Sequence, residues 1–141
     1  MFMYHQHAPE LKRRSDGRVE MLVLDNGNVR ASPSGSLIEP EYSRAVNFVL
    51  DESSMQAAID WSYGDTSGPD SWFSAAAGDA DRMPDESGVM FVKSVGDAFI
   101  REVDLTGAPR WNQEVEGEGE LYRAEYYPSL YETTWWSETG W

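Results

Sequence analysis

Cysteine, lysine and long apolar runs are scarce or absent in this chain. Cysteine is absent, which excludes disulfide bonds and metal sites built on thiolates. Lysine occurs only as Lys12 and Lys93, so the chain lacks the clustered cations with which proteins neutralise nucleic-acid phosphates. No segment has the roughly 20 consecutive apolar residues of a membrane-spanning helix. We therefore expect neither a nucleic-acid partner nor a membrane partner.

The first residues have no export signal. Met1 to His7 lack the basic region and the following apolar stretch of a signal peptide. A chain without a signal peptide or a membrane segment is assigned by default to the cytoplasm. We therefore expect a cytoplasmic protein.

Acidic residues dominate the charged positions. Asp and Glu total 25 against 11 Lys and Arg, which gives a net charge of -14. Proteins of salt-accumulating halophiles have such surfaces, because high ionic strength shortens the Debye length to a few ångströms and screens self-repulsion. We therefore predict a halophilic protein that is least stable at low salt, with an acidic mesophilic protein as the alternative. Hydrophobic residues make up 40% of the chain, enough for a packed core.

Strand-like runs fill most of the chain, and no long stretch has helical periodicity. The runs alternate between apolar and polar residues, or are apolar throughout, and end at turn residues. Asn26-Gly27 follows the first run and predicts a tight hairpin turn, and residues 79–87 predict a further strand that leads into a loop. The runs form two antiparallel meanders, 18–24, 44–50 and 55–63 in the first and 88–93, 98–104 and 108–115 in the second.

The two meanders repeat one another. Superposing Asp51 on Asp104 brings Trp61 close to Trp111, a repeat of roughly fifty residues, as in propeller blades. The pattern predicts an all-β fold, in which residues 1–127 form two to three blades of a β-propeller. Because a closed propeller needs roughly four or more blades, we expect the chain to oligomerise or to be a fragment of a longer protein.

The last residues form a separate region in this interpretation. Residues 128–141 contain Tyr131, Trp135, Trp136 and Trp141. Exposure of so many large aromatic side chains to water is unfavourable. We expect an aromatic C-terminal tail that docks on a sheet face or on a partner.

His5 and His7 are the only histidines. A neutral imidazole can act as a nucleophile or as a general acid-base catalyst. On position alone, a surface histidine in a mobile N-terminal segment is the plainer interpretation. The pattern of neighbouring residues does not decide between the two.

A series of motifs, in order from residue 6 to about residue 127, resembles the C-terminal part of the arylsulfotransferase family, especially its archaeal members. The order and spacing of these motifs are more specific than any one of them. The motifs are Gln6-His7, Leu24-Asp25-Asn26-Gly27-Asn28-Val29-Arg30, Tyr42-Ser43-Arg44-Ala45-Val46, Trp61-Ser62-Tyr63-Gly64, Gly78-Asp79-Ala80-Asp81-Arg82-Met83-Pro84 and Tyr122-Arg123-Ala124-Glu125.

The resemblance implies a six-bladed propeller that transfers a sulfuryl group from an aryl sulfate donor to a phenolic acceptor, without a nucleotide cofactor. By motif position His7 matches the histidine that carries the sulfuryl group. Arg30, Arg44 and Arg123 are the candidate substrate-binding residues, because a guanidinium presents a rigid fork of donors to sulfate oxygens. Ordinary ion pairing with the abundant carboxylates is the alternative for Arg30 and Arg44.

The resemblance also implies an incomplete site. Other sulfate-binding residues of the family lie in blades that this chain does not contain, so we expect the isolated chain to be inactive or nearly so. The alternative function is a non-catalytic β-repeat module that binds a protein partner or a glycan through aromatic residues. Asp79, Asp81 and Asp85 lack the glycine and the terminal glutamate of an EF-hand loop, so we expect no metal site there.

Overall fold

The structure is a computed structural model that describes residues 3–64, 71–116 and 120–127. Within these residues the fold is all-β and contains no helix. The tail 128–141 lies outside the described residues. The strands are β1 (Gln6–Arg13), β2 (Val19–Asp25), β3 (Arg44–Asp51), β4 (Gln56–Tyr63), β5 (Asp79–Arg82), β6 (Gly88–Lys93), β7 (Ala98–Asp104) and β8 (Pro109–Val115).

The strands form two antiparallel four-stranded sheets. The first sheet has the order β1-β2-β3-β4 and the second the order β5-β6-β7-β8. Within each sheet the strands pair in chain order, as in a propeller blade, so the predicted meander sheets are confirmed. No helix among the described residues is long and apolar enough to cross a membrane.

The two sheets pack face to face through a single apolar cluster. Leu22, Leu24 and Ala45 of the first sheet meet Val89 and Phe91 of the second. The Phe91 ring stacks on Trp72, with the centroids 5.2 Å apart, and Trp72 belongs to the connection between the sheets. Because side chains alternate across a strand, this contact uses one face of each sheet.

Two matched hairpins confirm the internal repeat. The ladder between β3 and β4 has a bulge beside the pair Asn47–Trp61, and the ladder between β7 and β8 has one beside the pair Glu102–Trp111. Each hairpin also turns at an aspartate. Asp51 Oδ1 accepts a hydrogen bond from the Ser53 amide at 2.9 Å, and Asp104 Oδ1 accepts one from the Thr106 amide at 2.8 Å.

The predicted hairpin turn at Asn26-Gly27 is wrong. β2 ends at Asp25 and β3 begins only at Arg44, so the two strands are joined by a long loop. Gly27 is needed for a different reason, because its φ is +80° and a Cβ there would collide with the carbonyl of Tyr42. The Asn-Gly pair therefore marks a close approach of two backbone segments.

Strand β1 is absent from the sequence-based prediction. It is an edge strand that contains Pro9, and its register with β2 shifts between His7 and Glu10. Proline and a bulge are tolerated at an edge, but both obscure the alternation on which strand prediction depends. The N-terminal segment is therefore part of a sheet.

Candidate functional site

Backbone pairing holds His7 in the sheet. His7 lies on β1 opposite Leu24, and Gln6 lies opposite Asp25. Tyr4, three residues before His7, is also held by backbone hydrogen bonds. Its amide donates to Asp25 Oδ1 at 2.8 Å, and its carbonyl accepts from the Gly27 amide at 2.8 Å. His7 itself is half-buried. His7 therefore lies in a paired edge strand and not in an unpaired N-terminal segment.

Asp25 binds two of the predicted arginines at the same end of the first sheet. Its Oδ2 accepts a hydrogen bond from Arg30 Nη1 at 2.9 Å and from Arg44 Nη2 at 2.9 Å and Nε at 3.0 Å. All three side chains are buried, Asp25 completely and each arginine to within a few per cent. Two guanidinium groups therefore face this one carboxylate at the end of β2, the strand that pairs with β1.

Aromatic rings enclose the Arg30 guanidinium. Its carbon lies 4.4 Å from the ring centroid of Tyr42 and 5.7 Å from that of Tyr4, within the range of cation–π attraction. Arg30 Nη2 also donates to the Tyr42 carbonyl at 3.4 Å. Within the described part of the chain Arg30 Nε is buried and has no hydrogen-bond partner. Arg30 is thus buried, and its Nε–H group makes no hydrogen bond to the described residues.

Buried polar side chains tie this cluster to the connection between the sheets. Asn26 Nδ2 donates to the carbonyls of Ser74 and Ala77, at 2.8 and 3.0 Å. Ser43 Oγ donates to the Asn26 carbonyl at 2.7 Å and accepts from the Ser74 amide at 2.9 Å. The loop motifs of the first sheet therefore position the segment that leads into the second sheet.

The sequence pattern points to the arginines but gives no role to the residues that hold them. Asp25 and Asn26 are in one of the family-like motifs, and Tyr42 and Ser43 are in the next. A buried aspartate at a strand end beside two arginines is a signal for an ion-pair cluster. Their meeting depends on the path of the loop between residues 26 and 43, which the pattern of the sequence does not predict.

Arg123 lies in a second cluster, with Asp79 and Glu125. Its Nε is 3.0 Å from Asp79 Oδ2 and 3.3 Å from Glu125 Oε1, and about half of its side chain is exposed. Burial and the charge of Asp79 raise the pKa of Asp81 to about 6. Burial likewise raises the pKa of Asp79, against the opposing effect of Arg123. The structure does not bring Arg123 together with the Asp25 cluster through any described contact.

A cleft of about 360 Å³ between the sheets contains two further cations, Lys12 and Arg82. Arg82 Nη2 donates to Asn47 Oδ1 at 2.6 Å, and its guanidinium pairs with Glu10 and Glu20. Lys12 pairs with Glu86 at 2.6 Å. Because carboxylates already neutralise both cations, the cleft joins the two sheets rather than offering a site for an anion.

Metal binding has no support among the described residues. No group of three or more His, Asp or Glu side chains in those ranges is placed to hold a metal ion. Asp85 instead accepts a hydrogen bond from the Ser87 amide at 3.0 Å. The Arg123 guanidinium pairs with Asp79 and so occupies the position at which a metal ion would contact this carboxylate.

Comparison with known proteins gives one family. A family model described as Arylsulfotransferase (ASST) matches residues 1–135. The chain matches no curated protein. The family match covers both sheets, the segment that bears His7 and the loops that bear Arg30 and Arg44.

Proposed function

We propose, from the premise that this chain belongs to the arylsulfotransferase family, that it carries part of a site for sulfuryl transfer between phenolic compounds, with His7 as the sulfuryl acceptor. The observation that supports this most is the pairing of Gln6 with Asp25. Gln6 precedes His7 in the chain, and the carboxylate of its partner Asp25 is shared by two buried guanidinium groups. Guanidinium groups favour the binding of an anionic sulfate in a chain whose overall charge is negative.

The proposed reaction has two displacements at sulfur. A ring nitrogen of His7 forms a bond to the sulfur of an aryl sulfate while the S–O bond to the phenolate breaks. A second phenol then attacks the sulfur, gives up its proton and releases the imidazole. By analogy with phosphoryl transfer, positioning and charge stabilisation supply most of the rate enhancement. The family implies an aryl sulfate donor, a phenolic acceptor and no nucleotide cofactor.

Arg30 and Arg44 support this reaction through their charge. Both side chains are buried against Asp25, so we infer that they set the electrostatic potential at His7 and leave direct contact with sulfate oxygens to exposed groups. Arg123 has a half-exposed side chain and remains a candidate for such contact. The chain is proposed to be the C-terminal part of an archaeal-type enzyme, completed by further blades or by oligomerisation.

His7→Gln tests the proposal, with His5→Gln as the matched control because the chain has only these two histidines. The chain is incubated at high salt with p-nitrophenyl sulfate, and its peptides are analysed by mass spectrometry. Because the site is incomplete, we expect only slow formation of a sulfated peptide that contains His7, with release of at most about one p-nitrophenol per chain, at the same rate in the unchanged protein and in His5→Gln. His7→Gln should lower sulfation by on the order of 10³-fold or more, as when other nucleophiles are removed.

The burial of both arginines favours one other function. If no phosphate or sulfate oxygen reaches them, the sheets serve as a non-catalytic module that binds a protein partner or a glycan. Absence of sulfation in the unchanged chain, together with tight binding of a glycan or protein, would support that alternative. Sulfation that persists in His7→Gln would exclude His7 as the acceptor.

A further inference from the structure

Asn26 and Gly27 form the one Asn-Gly pair in the sequence, and they are chemically labile. Asparagine is a thermolabile residue. The backbone nitrogen of the next residue attacks the side-chain Cγ, ammonia leaves, and water opens the resulting succinimide to aspartate or isoaspartate. Glycine as the next residue leaves this attack unhindered, because it has no side chain and the widest backbone freedom. The chain therefore depends on its fold to preserve Asn26.

Hydrogen bonds hold both reacting groups in the folded chain. The attacking group, the Gly27 amide, donates to the Tyr4 carbonyl at 2.8 Å. The leaving group, Asn26 Nδ2, donates to the carbonyls of Ser74 and Ala77 at 2.8 and 3.0 Å. Asn26 is completely buried, so water has no access to it. Cyclisation requires these hydrogen bonds to break first.

The peptide group between Asn26 and Gly27 is fixed as well. The Asn26 carbonyl accepts a hydrogen bond from Ser43 Oγ at 2.7 Å, and the Gly27 carbonyl accepts one from the Arg30 amide at 3.2 Å. The Tyr42 carbonyl packs so closely against Gly27 that a Cβ there would collide with it. The peptide group is thus unable to turn towards the Asn26 side chain while these segments stay in contact.

Among these partners, the segment that contains Tyr4 is the one that opens most easily. Ser43 and Ser74 are completely buried, whereas Tyr4 is half-buried. Tyr4 leads into the edge strand β1, whose pairing with β2 is interrupted between His7 and Glu10. Local opening costs least free energy where pairing is interrupted and burial is low. Release of this segment frees the attacking amide of Gly27.

We propose that Asn26 is a deamidation site that the fold keeps closed, and that it converts once the segment of Tyr4 leaves Gly27. The conversion replaces the donor Nδ2 by a carboxylate oxygen that faces the carbonyls of Ser74 and Ala77. Burial of a carboxylate without donors is costly. Isoaspartate also adds a methylene to the backbone beside Gly27, where the Tyr42 carbonyl leaves no space.

Deamidation of Asn26 would make unfolding irreversible. Asn26 joins the end of β2 to the connection between the two sheets, so a converted chain no longer makes this contact. Chemical modification of the unfolded state withdraws chains from the folding equilibrium. Opening of the site therefore leads, with time, to chains that do not return to the native fold.

Peptide mapping of the unchanged chain tests the protection of Asn26. The chain is incubated at mildly alkaline pH, once folded at high salt and once in guanidinium chloride, and aspartate and isoaspartate are quantified. Conversion at Asn26 should be at least about 100-fold slower in the folded chain, because several hydrogen bonds must open first. Asn28, Asn47 and Asn112 precede larger residues and should convert slowly in both samples. Equal rates at Asn26 in the two samples would overturn the proposal.

Tyr4→Pro tests whether the segment of Tyr4 controls the opening. Proline has no amide proton, so this variant loses the hydrogen bond to Asp25 Oδ1 and should convert at Asn26 roughly ten times faster at high salt. Tyr4→Phe keeps the amide and the ring and should convert at the unchanged rate. Equal rates in the two folded variants would exclude this segment as the gate.

Hydrogen exchange in the unchanged chain measures the same opening without a variant. The Gly27 amide should be protected from exchange, since it is bonded to the Tyr4 carbonyl. Exchange at the rate of an unprotected amide, in a chain whose Asn26 stays intact, would also exclude this segment as the gate.

Refolding after storage in guanidinium chloride tests the consequence. Two samples are stored for equal times, one at mildly alkaline and one at mildly acidic pH, and both are returned to high salt. Acid suppresses cyclisation, because the attacking nitrogen must lose its proton. Recovery of the native circular dichroism should fall in step with conversion of Asn26 in the alkaline sample and stay complete in the acidic one. Full recovery of chains that are converted at Asn26 would overturn the link between deamidation and irreversible unfolding.

Discussion

At the level of single residues, Asp25 organises the candidate site. One buried carboxylate accepts hydrogen bonds from Arg30, Arg44 and the amide of Tyr4. Burying a charge is costly unless it is paired and hydrogen-bonded. Asp25 meets this condition for both arginines, and it anchors the residues that lead to His7. We therefore expect the site to depend on Asp25 more than on either arginine alone.

Asp25→Asn should destabilise the fold strongly. The substitution keeps the shape of the side chain but removes the negative charge that two buried guanidinium groups share. Breaking one side of a buried ion pair costs about 3–5 kcal/mol. We expect the free energy of unfolding, from urea denaturation at high salt, to fall by that amount.

Asp16→Asn is the matched control for this measurement. Asp16 pairs with Arg18 at 2.6 Å, but both side chains are more than two-fifths exposed. Exposed ion pairs contribute little to stability, so this variant should unfold almost as the unchanged protein does. A similar loss of stability in the two variants would show that burial of Asp25 is not the cause.

Among the elements, the contact of β5 with the segment 120–127 depends on three carboxyl groups and one arginine. Arg123 pairs with Asp79 and Glu125, and Asp81 interacts with Asp79, Arg123 and Glu10. Burial disfavours the charged form of both aspartates, and their mutual repulsion adds to this. The contact between β5 and the segment 120–127 should therefore be most stable when Asp79 and Asp81 together retain a proton.

The pKa of Asp81 predicts how stability varies with pH. Burial and the neighbouring Asp79 raise this pKa to about 6 in the folded protein, against about 3.9 in an unfolded chain. The folded state then binds more protons between these values, so this group stabilises the fold fully below about pH 4 and loses its effect as the pH rises through about 6. Asp81→Asn should flatten the decrease in melting temperature between about pH 4 and 6.

Asp85→Asn controls for the general effect of removing a carboxylate from this region. Hydrogen bonds from Ser87 lower the pKa of Asp85, so Asp85 stays largely ionised in the window from about pH 4 to 6. The decrease in melting temperature should persist in this variant. Identical profiles for Asp81→Asn and the unchanged protein would refute the assignment to Asp81.

Across the whole molecule, charge is the dominant feature. Carboxylates outnumber cations by more than two to one. Many of the described cations are already paired, as Lys12 is with Glu86 and Arg82 with Glu10, so the excess carboxylates repel each other across the surface. Repulsion between exposed charges weakens as the Debye length falls from about 10 Å at 0.1 M salt to about 3 Å at 1 M.

The melting temperature should rise as KCl is raised from 0.1 to 2 M, by roughly 5 °C or more, since about 1 kcal/mol shifts a domain of this size by several degrees. Differential scanning fluorimetry provides the measurement. The variant with Glu114→Gln, Glu116→Gln and Glu120→Gln removes three exposed carboxylates and should gain less from added salt. A melting temperature indifferent to KCl would contradict the halophilic interpretation.

Local signals in the chain are enough to predict most strands and their order. Apolar runs and alternation predict every strand of the two sheets except β1, and turn residues such as Asp51 and Asp104 end them where the structure does. The edge strand β1 is not predicted, because Pro9 and the bulge interrupt the alternation on which strand prediction depends. Motif order also indicates the family that the chain matches.

What the arginines contact follows only from the folded arrangement. The sequence predicts Arg30 and Arg44 as substrate-binding residues, with ion pairing as the alternative, but their burial on Asp25 depends on where the long loop after Gly27 returns to β3. That path is set by distant contacts, such as those of Asn26 with Ser74 and Ala77. A residue pattern records the neighbours of a side chain along the strand, whereas the partners of a buried charge come from segments that packing brings together.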